Sequence, residues 1–224
     1  MSLGGFIRRV ARSGRRVVVL TVFAGLPESR TPAGKWDTRA GFGTEGEAAR
    51  ARRLEDREAC AILGADHAWL PFSEGPYVEN RSADDVWAAA AELLQDVRSV
   101  LIPGFPLTNP DHAWLSKVLL ERGLPGRRVG LYAEQPYRYS TRGHSSRLAT
   151  PAPVRESLSA VLEWTYLGMR PRDVWAKRRA TLAYRSQMPL LGFLEHRHRK
   201  LNRMLAHEAL HRGEAIAWLG PAVR

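Results

Sequence analysis

Short apolar stretches with the length of strands alternate with helical patterns along most of the chain, and this alternation restricts the fold more than any other feature. The clearest stretch, residues 17–25, is a continuous β-branched run, which is typical of a strand buried in a parallel sheet. Further strands are predicted at residues 67–72, 99–104 and 127–134. Strands that alternate with helices indicate an α/β fold, a Rossmann-like three-layer sandwich with a mostly parallel sheet.

Helical patterns fill the segments between these strands. Ser82 is a predicted N-cap, Pro171 is placed for a helix start, and Gly64 is placed to end a helix. Apolar spacing and cap residues predict helices over residues 4–14, 45–64, 82–97, 109–123 and 171–187. The basic segment 189–212 is also expected to be helical, and residues 157–167 fit either a helix or a strand.

Length and composition fit a single domain over residues 1–224. The chain is 44% hydrophobic, which is enough to bury a core at this length. Its one cysteine, Cys60, excludes an internal disulfide and a zinc site built from cysteines. No apolar run reaches the roughly 20 residues of a membrane-spanning helix, and Arg8, Arg9 and Arg12 interrupt any N-terminal signal sequence. We therefore expect a cytoplasmic protein without a membrane partner.

The formal net charge of +11 is concentrated in the second half of the chain. Residues 113–224 carry a net charge of +12, whereas residues 1–112 carry −1. A basic half favours nucleic acid as a partner, but arginine far outnumbers lysine, and no aromatic residues are interleaved with the basic clusters. Nucleic-acid binding is therefore disfavoured, and self-association as a homo-oligomer stays open.

The sequence "NPDH", which ends at His112, follows a predicted strand and opens a predicted helix. In open α/β sheets ligands bind beyond the carboxyl ends of the strands, where this loop and those that begin at Gly25 and Glu134 would lie. His112 is a candidate metal ligand there, because imidazole suits zinc and related ions. Asn109 is equally compatible with a plain helix N-cap, and His112 with a capping or packed side chain.

The sequence "HEALH" near the C-terminus matches the HExxH motif of zinc peptidases. His207 and His211 would lie one turn apart on a helix, and Glu208 would hold the attacking water. A catalytic zinc needs a third protein ligand. Glu214 would lie on roughly the same helical face, too close to serve as that ligand from a second element. We interpret the motif as a surface histidine pair on a basic helix, not as a peptidase site.

Five segments stand in a fixed order along nearly the whole chain: "SLGGFIRRVARSGRRVVVLTVFAG", "RRLEDREACAILGA", "PLTNPDH", "LYAEQPY" and "KRRATLAYRSQ". In that order they resemble the PIG-L/LmbE-like family of zinc-dependent N-deacetylases, which act on N-acetylated sugars and related amides. The segments look like the family's first helix with its second strand, its Arg-x-x-Glu helix, its second metal motif, a Tyr-Glu-Asp-Leu-Pro-Tyr stretch and its Lys…Ala…Tyr-x-Ser-Gln helix. The ordered series carries the resemblance more than any one segment does.

The resemblance implies that an N-acetylated sugar or glycoconjugate is hydrolysed at its amide by a zinc-activated water, with an aspartate as the base. His112 would be the third metal ligand, and Asp111 would be a catalytic residue that supports the hydrogen bonding beside it. Arg52 would hold the substrate, and Glu55 would brace that helix. The residues that would line the substrate pocket are Tyr132, Glu134 and Tyr137.

Two departures from the family pattern concern the catalytic centre. The family's other two metal ligands and its base lie in a His-x-Asp-Asp motif directly before the first helix, and this chain starts at that point. The first strand is absent from the chain as written, so we interpret the chain as N-terminally truncated and expect it to be inactive. Asn109 stands where the family usually has a histidine, and as a catalytic residue it can donate to an oxyanion but cannot transfer a proton. The alternative is a catalytically dead member that acts as a binding or scaffold protein.

Overall fold

The chain divides into two units, each with its own sheet. The computed structural model describes residues 2–78, 81–136, 162–192, 198–210 and 213–220. The first unit comprises Leu3–Arg81 and Met169–His211, and the second is formed mainly by Ser82–Gly168 and Arg212–Arg224. Both units combine helices with strands, which confirms the α/β fold class. Within the described ranges, no helix is long and apolar enough to cross a membrane.

Helices make up most of the first unit, and local sequence signals set their ends. The elements are α1 (Gly4–Arg12), β1 (Val18–Thr21), α2 (Lys35–Arg39), α3 (Glu45–Leu63), β2 (Asp66–Trp69), α6 (Pro171–Ala183) and α7 (Arg199–Leu210). Helix α3 begins at a capping box, in which Thr44 and Glu47 satisfy each other's backbone N–H groups. It ends at Gly64, whose φ of 76° lies in the left-handed region that glycine adopts without a steric penalty.

Strands β1 and β2 form a parallel pair connected by the segment that contains α3. Their register runs from Val18 opposite Asp66 to Thr21 opposite Trp69. Parallel pairing was predicted for the 17–25 run, but the strand itself is only half-buried and Val18 is exposed. The reason is that β1 pairs with β2 alone among the described strands, so one of its edges lacks the neighbour that a central parallel strand has.

Small side chains form the core between the helices of the first unit. A buried cluster joins α3 to α6 and consists of Ala59, Leu63, Ala176, Ala180 and Ala183. Helix α1 lies close to α6, since a Cβ added at Gly4 would be 2.9 Å from Lys177 Cγ. Any larger residue at Gly4 would therefore push α1 away from the buried Lys177 stem.

The second unit contains a mixed sheet, which corrects the prediction of a mostly parallel one. Its elements are α4 (Ala83–Leu93), β3 (Ser99–Phe105), α5 (Pro110–Arg122), β4 (Arg128–Ala133), β5 (Trp164–Leu167) and β6 (Glu214–Trp218). The strand order is β3-β4-β6-β5. Strand β3 pairs with β4 in parallel, whereas β6 pairs antiparallel with both β4 and β5.

The C-terminal segment differs most from the expectation based on sequence. Helix α7 occupies only part of the predicted helix over 189–212, and a strand, β6, follows it. Glu214 is therefore the first residue of a strand, not part of a continued helix face, and its side chain is buried. Glutamate and alanine favour helices as isolated residues, and pairing on both edges of β6 overrides that preference.

Candidate functional site

His112 lies in the first turn of α5, immediately beyond the carboxyl end of β3. The helix begins where expected because Asn109 is its N-cap, with Asn109 Oδ1 accepting a hydrogen bond from the backbone N–H of Asp111 at 2.9 Å. Ser116, one turn further along the helix, donates to the carbonyl oxygen of Pro103 at 2.6 Å and ties α5 to β3. The imidazole is thus carried by a helix whose start and packing are both fixed.

Glu134 holds one nitrogen of the His112 ring. It follows β4, its side chain is 1% exposed, and one carboxylate oxygen contacts His112 Nδ1. The other oxygen accepts from the backbone N–H of Leu107 at 2.8 Å. Because an ionised carboxylate can only accept hydrogen bonds, this contact places the proton of a neutral imidazole on Nδ1. Nε2 is then the nitrogen that can coordinate a metal or accept a proton.

The backbone of the loop between β3 and α5 is also organised by Glu134. Leu107 has a φ of 55°, in the left-handed region, which costs a non-glycine residue about 1–2 kcal/mol. Its N–H donates to Glu134, and the N–H of Glu134 donates to the carbonyl oxygen of Phe105 at 2.5 Å. The two bonds join the ends of β3 and β4 and hold Leu107 in this conformation.

The three residues expected to line the substrate pocket have different positions. Glu134 contacts His112 and the backbone, and Tyr132 lies in β4 opposite Pro103 and Ile216. Burial, and then the charge of Glu134, raise the pKa of the Tyr132 phenol, so it stays protonated at neutral pH. Tyr137 lies outside the described residues. Substrate contact by these residues stays a prediction, as do the catalytic roles of Asp111 and Asn109.

The described side chains around His112 do not complete a zinc site. A catalytic zinc needs about three protein ligands. In the part of the chain that the structure describes, no three His, Cys, Asp or Glu side chains are grouped so that they could hold a metal ion. His112 with its orienting carboxylate is one ligand and its support, so the described residues do not by themselves fit a zinc site.

Arg52 in the first unit connects α2 to the segment that follows β2, through one carboxylate on each. One terminal nitrogen contacts Asp37 Oδ1, and the other donates to Glu74 Oε1 at 2.6 Å. Asp37 is buried and also accepts from the phenol of Tyr77, whose oxygen in turn accepts from the backbone N–H of Gly34 at 2.9 Å. Burial, and then the hydrogen bond to Asp37, raise the pKa of Tyr77 to about 12. Arg52 therefore uses both terminal nitrogens to join Asp37 and Glu74. Its contact with a substrate stays a prediction.

Glu55 lies on α3 and fixes the chain just beyond α6. It accepts from the backbone N–H of Ser186 at 2.7 Å and from Ser186 Oγ at 2.8 Å. This is the bracing that the resemblance implied for Glu55, and the structure identifies Ser186 as its partner. The contact joins the Arg-x-x-Glu segment to the Tyr-x-Ser-Gln segment, which lie far apart in the sequence.

Asp56 is a buried carboxylate that the sequence analysis missed. It accepts hydrogen bonds from Thr21 Oγ1 at 3.0 Å, Trp69 Nε1 at 2.8 Å and Tyr184 Oη at 2.6 Å. Three separate segments of the first unit are thereby joined at one side chain. Burial, and then the charge of Asp56, raise the pKa of Tyr184, which keeps its phenol a donor. The available signal was an acidic residue next to Glu55 and one helical turn before Ala59 and Cys60.

The "HEALH" segment does not form a complete motif within the described residues. His207 lies in α7, whereas His211 lies outside them. Glu214 is buried in β6. The interpretation of the two histidines as a surface pair stays a prediction.

Comparison with known proteins identifies the family. The model of the family described as "PIG-L: GlcNAc-PI de-N-acetylase" matches residues 1–122, more than half of the 224-residue chain. No curated protein matches the sequence. Among solved structures, the deacetylase of the A40926 pseudoaglycone is 22% identical with a TM-score of 0.75, and the alignment covers 97% of this chain and 90% of that one.

Two further solved structures have the same fold. The zinc-inhibited form of teicoplanin deacetylase is 21% identical with a TM-score of 0.76, over 100% of this chain and 94% of that one. The N,N′-diacetylchitobiose deacetylase from Pyrococcus horikoshii is 16% identical with a TM-score of 0.58, over 97% and 78%. The fold similarity agrees with the family match and with the resemblance found in the sequence. The chain belongs to the PIG-L (GlcNAc-PI de-N-acetylase) family.

Proposed function

We propose that this protein is an N-deacetylase that hydrolyses the N-acetyl amide of an amino sugar or glycoconjugate. The observation that carries the proposal is the contact between His112 and the buried carboxylate of Glu134. A carboxylate at Nδ1 fixes the orientation of the ring and leaves Nε2 able to coordinate a metal or accept a proton. A histidine with a purely structural role does not need this arrangement. The family match and the deacetylases that share the fold support the proposal.

Amide hydrolysis requires water to add to the acetyl carbonyl, the resulting tetrahedral oxyanion to be stabilised, and the C–N bond to break with a proton delivered to the amine. The products are acetate and the free amino sugar. Asn109 uses Oδ1 to cap α5, so a hydrogen bond from Asn109 to an oxyanion would come from its Nδ2. Asp111 and His112 follow on the same helical turn, and Asp111 would orient groups beside the imidazole.

Zinc is the metal that the resemblance implies, and it would polarise the carbonyl and activate water. His112 Nε2 is the atom we expect to face it. At least one further ligand would have to come from outside the described residues, since these contain no group of three ligating side chains. A cytoplasmic location and the absence of membrane and nucleic-acid partners belong to the same proposal.

The second candidate is a family member that binds the sugar without hydrolysing it. The described contacts of His112 supply one possible metal ligand with its orienting carboxylate, an arrangement that is also compatible with binding alone. The two candidates differ in one product, acetate. They agree that an N-acetylated sugar is the ligand.

Acetate release distinguishes these candidates. The protein is incubated with N-acetylglucosamine and N,N′-diacetylchitobiose, with added zinc or with a chelator, and acetate and free amine are quantified. Zinc-dependent release that is lost in His112→Ala and retained in His207→Ala would establish the first candidate, because His207 belongs to a different helix. Sugar binding without acetate would establish the second candidate, and neither binding nor acetate would reject both.

A further inference from the structure

Trp164 packs against the strand that leads to the loop of His112, although the two residues lie far apart in the sequence. It is the first residue of β5, and in the strand order β3-β4-β6-β5 two strands separate it from β3. Its ring nevertheless meets the ring of Phe105 edge to face, with centroids 6.4 Å apart and an angle of 68° between the ring planes. Edge-to-face pairs at this separation are favourable, so the contact holds the Phe105 ring in one position.

The pairing of the strands explains how the indole reaches β3. Trp164 is paired with Ala217 of β6, which is paired with Leu131 of β4, and paired residues point to the same face of a sheet. The small side chain of Ala217 leaves room for the indole on this face. The ring extends as far as Gly104, where an added Cβ would lie 3.3 Å from Trp164 Cη2 and 2.5 Å from Leu131 Cβ. Only glycine therefore fits at position 104.

A β-bulge turns Phe105 toward the indole. Pro103 is paired with Tyr132, and Phe105 with Ala133, so Gly104 is an extra residue of β3 at this step. Because side chains alternate between the two faces of a strand, the extra residue brings Phe105 to the face on which the indole lies. Bulges also change the direction of a strand, and this one stands directly before the loop between β3 and α5.

The backbone of Phe105 connects the bulge to the imidazole of the candidate site. Its carbonyl oxygen accepts from the N–H of Glu134 at 2.5 Å, and the carboxylate of Glu134 contacts His112 Nδ1. The indole packs on the ring of Phe105, and Glu134 is bonded to its carbonyl oxygen, so one residue joins Trp164 to the support of His112. All of these residues belong to the second unit.

We infer that Trp164 is a positioning residue for the proposed reaction, which holds the bulge and thereby fixes the position of Glu134 against the His112 ring. The inference rests on the proposed function for the reaction, but its effect on the imidazole is observable without a substrate. The indole N–H has no hydrogen-bond partner among the described residues, so packing accounts for the position of the ring. A phenyl ring should therefore be able to replace the indole, whereas an aliphatic side chain should not.

The test compares the wild type with Trp164→Phe, Trp164→Leu and Trp218→Ala by NMR of the imidazole nitrogens. Trp218 is the matched control, because it belongs to the same sheet but is paired with Gly130, four positions before Glu134. We expect protonated Nδ1 of His112 in the wild type, in Trp164→Phe and in Trp218→Ala. In Trp164→Leu we expect a mixture of the two tautomers, because the carboxylate no longer stays in line with Nδ1.

Gly104→Ala perturbs the same bulge while the indole is retained, and it provides the measurement if Trp164→Leu does not fold. Its added Cβ displaces either the bulge or Leu131, so we expect the same mixture of His112 tautomers. Where acetate is released, Trp164→Leu should lower kcat about tenfold or more and change KM little. A misplacement of about 1 Å at a reacting group costs about 100-fold in rate, which makes kcat the sensitive quantity.

The outcomes separate this inference from the proposed function. Protonated Nδ1 alone in folded Trp164→Leu or Gly104→Ala would overturn the inference and leave the deacetylase proposal standing. An effect of Trp164→Phe or Trp218→Ala as large as that of Trp164→Leu would also overturn it, because the indole N–H or general destabilisation would then be the cause. A His112 tautomer that depends on Trp164, in a protein that releases no acetate, would uphold the positioning of the imidazole and reject the proposed reaction.

Discussion

Replacing Glu134 by glutamine tests the orientation of the His112 imidazole without any substrate. In the native site the carboxylate accepts from His112 Nδ1 and from the backbone N–H of Leu107. A glutamine there keeps one oxygen for Leu107 and turns its amide NH₂ toward Nδ1. Because an amide NH₂ donates, we expect the ring proton to move to Nε2, which gives the tautomer that can neither ligate a metal nor accept a proton.

The structure also sets the size of the effect on stability. Both hydrogen bonds are retained in Glu134→Gln, and only their charge assistance is lost, which costs about 1–2 kcal/mol. For a chain of this length that corresponds to a fall in melting temperature of about 2–8 °C. Activity should fall by about 10- to 100-fold or more, as when the partner of a ligating histidine is removed.

The assay is NMR of the imidazole nitrogens at about pH 8, where a histidine is mostly neutral. We expect protonated Nδ1 in the wild type and protonated Nε2 in Glu134→Gln. Glu121→Gln is the control, because Glu121 is an exposed residue on α5 whose only described ion pair is with Lys117, at 3.8 Å. If His112 has the same tautomer in the wild type and in Glu134→Gln, the proposed orientation is refuted.

Two further predictions concern the first unit. Asp56→Asn should lower the free energy of unfolding by about 1–3 kcal/mol in a urea titration, because at least one of three half-buried donors loses its acceptor. Asp66→Asn, which removes only an exposed ion pair, should cost less than about 1 kcal/mol, and equal costs would contradict this explanation. The folded-state pKa of Tyr77, raised from 10.0 to about 12, predicts stability that is present below pH 10 and decreases between pH 10 and 12, because the unfolded chain loses the proton first. Tyr77→Phe should make that decrease shallower, which a urea titration at each pH would measure.

Helix ends were predicted well because their signals are local. Ser82 caps α4 through a hydrogen bond to the N–H of Asp85, Pro171 is the first residue of α6, and Gly64 ends α3 in the left-handed conformation. Each of these effects depends on the residue and its nearest neighbours. The parallel β3–β4 pair was predicted for a similar reason, since a helix lies between two apolar runs.

The direction of pairing in the second sheet was not predictable from the same signals. Strand β6 is five residues long, and three of these residues are glutamate or alanine, which favour helices, so its local sequence is ambiguous. Its identity as a strand comes from pairing with Tyr132 on one side and Thr165 on the other. Such contacts between distant segments leave no local pattern in the sequence.

In the candidate site, too, local positions were predictable from the sequence and contacts between distant residues were not. The sequence placed His112 and Glu134 after neighbouring strands, but only the structure joins them across 22 positions of the chain. Arg52 was expected to hold the substrate, which stays a prediction, and the contacts of its terminal nitrogens with two carboxylates were not predicted.

Release of labelled acetate tests the central claim most directly. The zinc-supplemented protein is mixed with N-acetylglucosamine that carries ¹³C in the acetyl group, and free acetate and free amine are followed by NMR. The proposed function predicts acetate and amine in equal amounts, with no release by His112→Ala. Sugar that binds but keeps its acetyl group, under conditions in which the protein is folded, would contradict deacetylation and identify a sugar-binding member of the family.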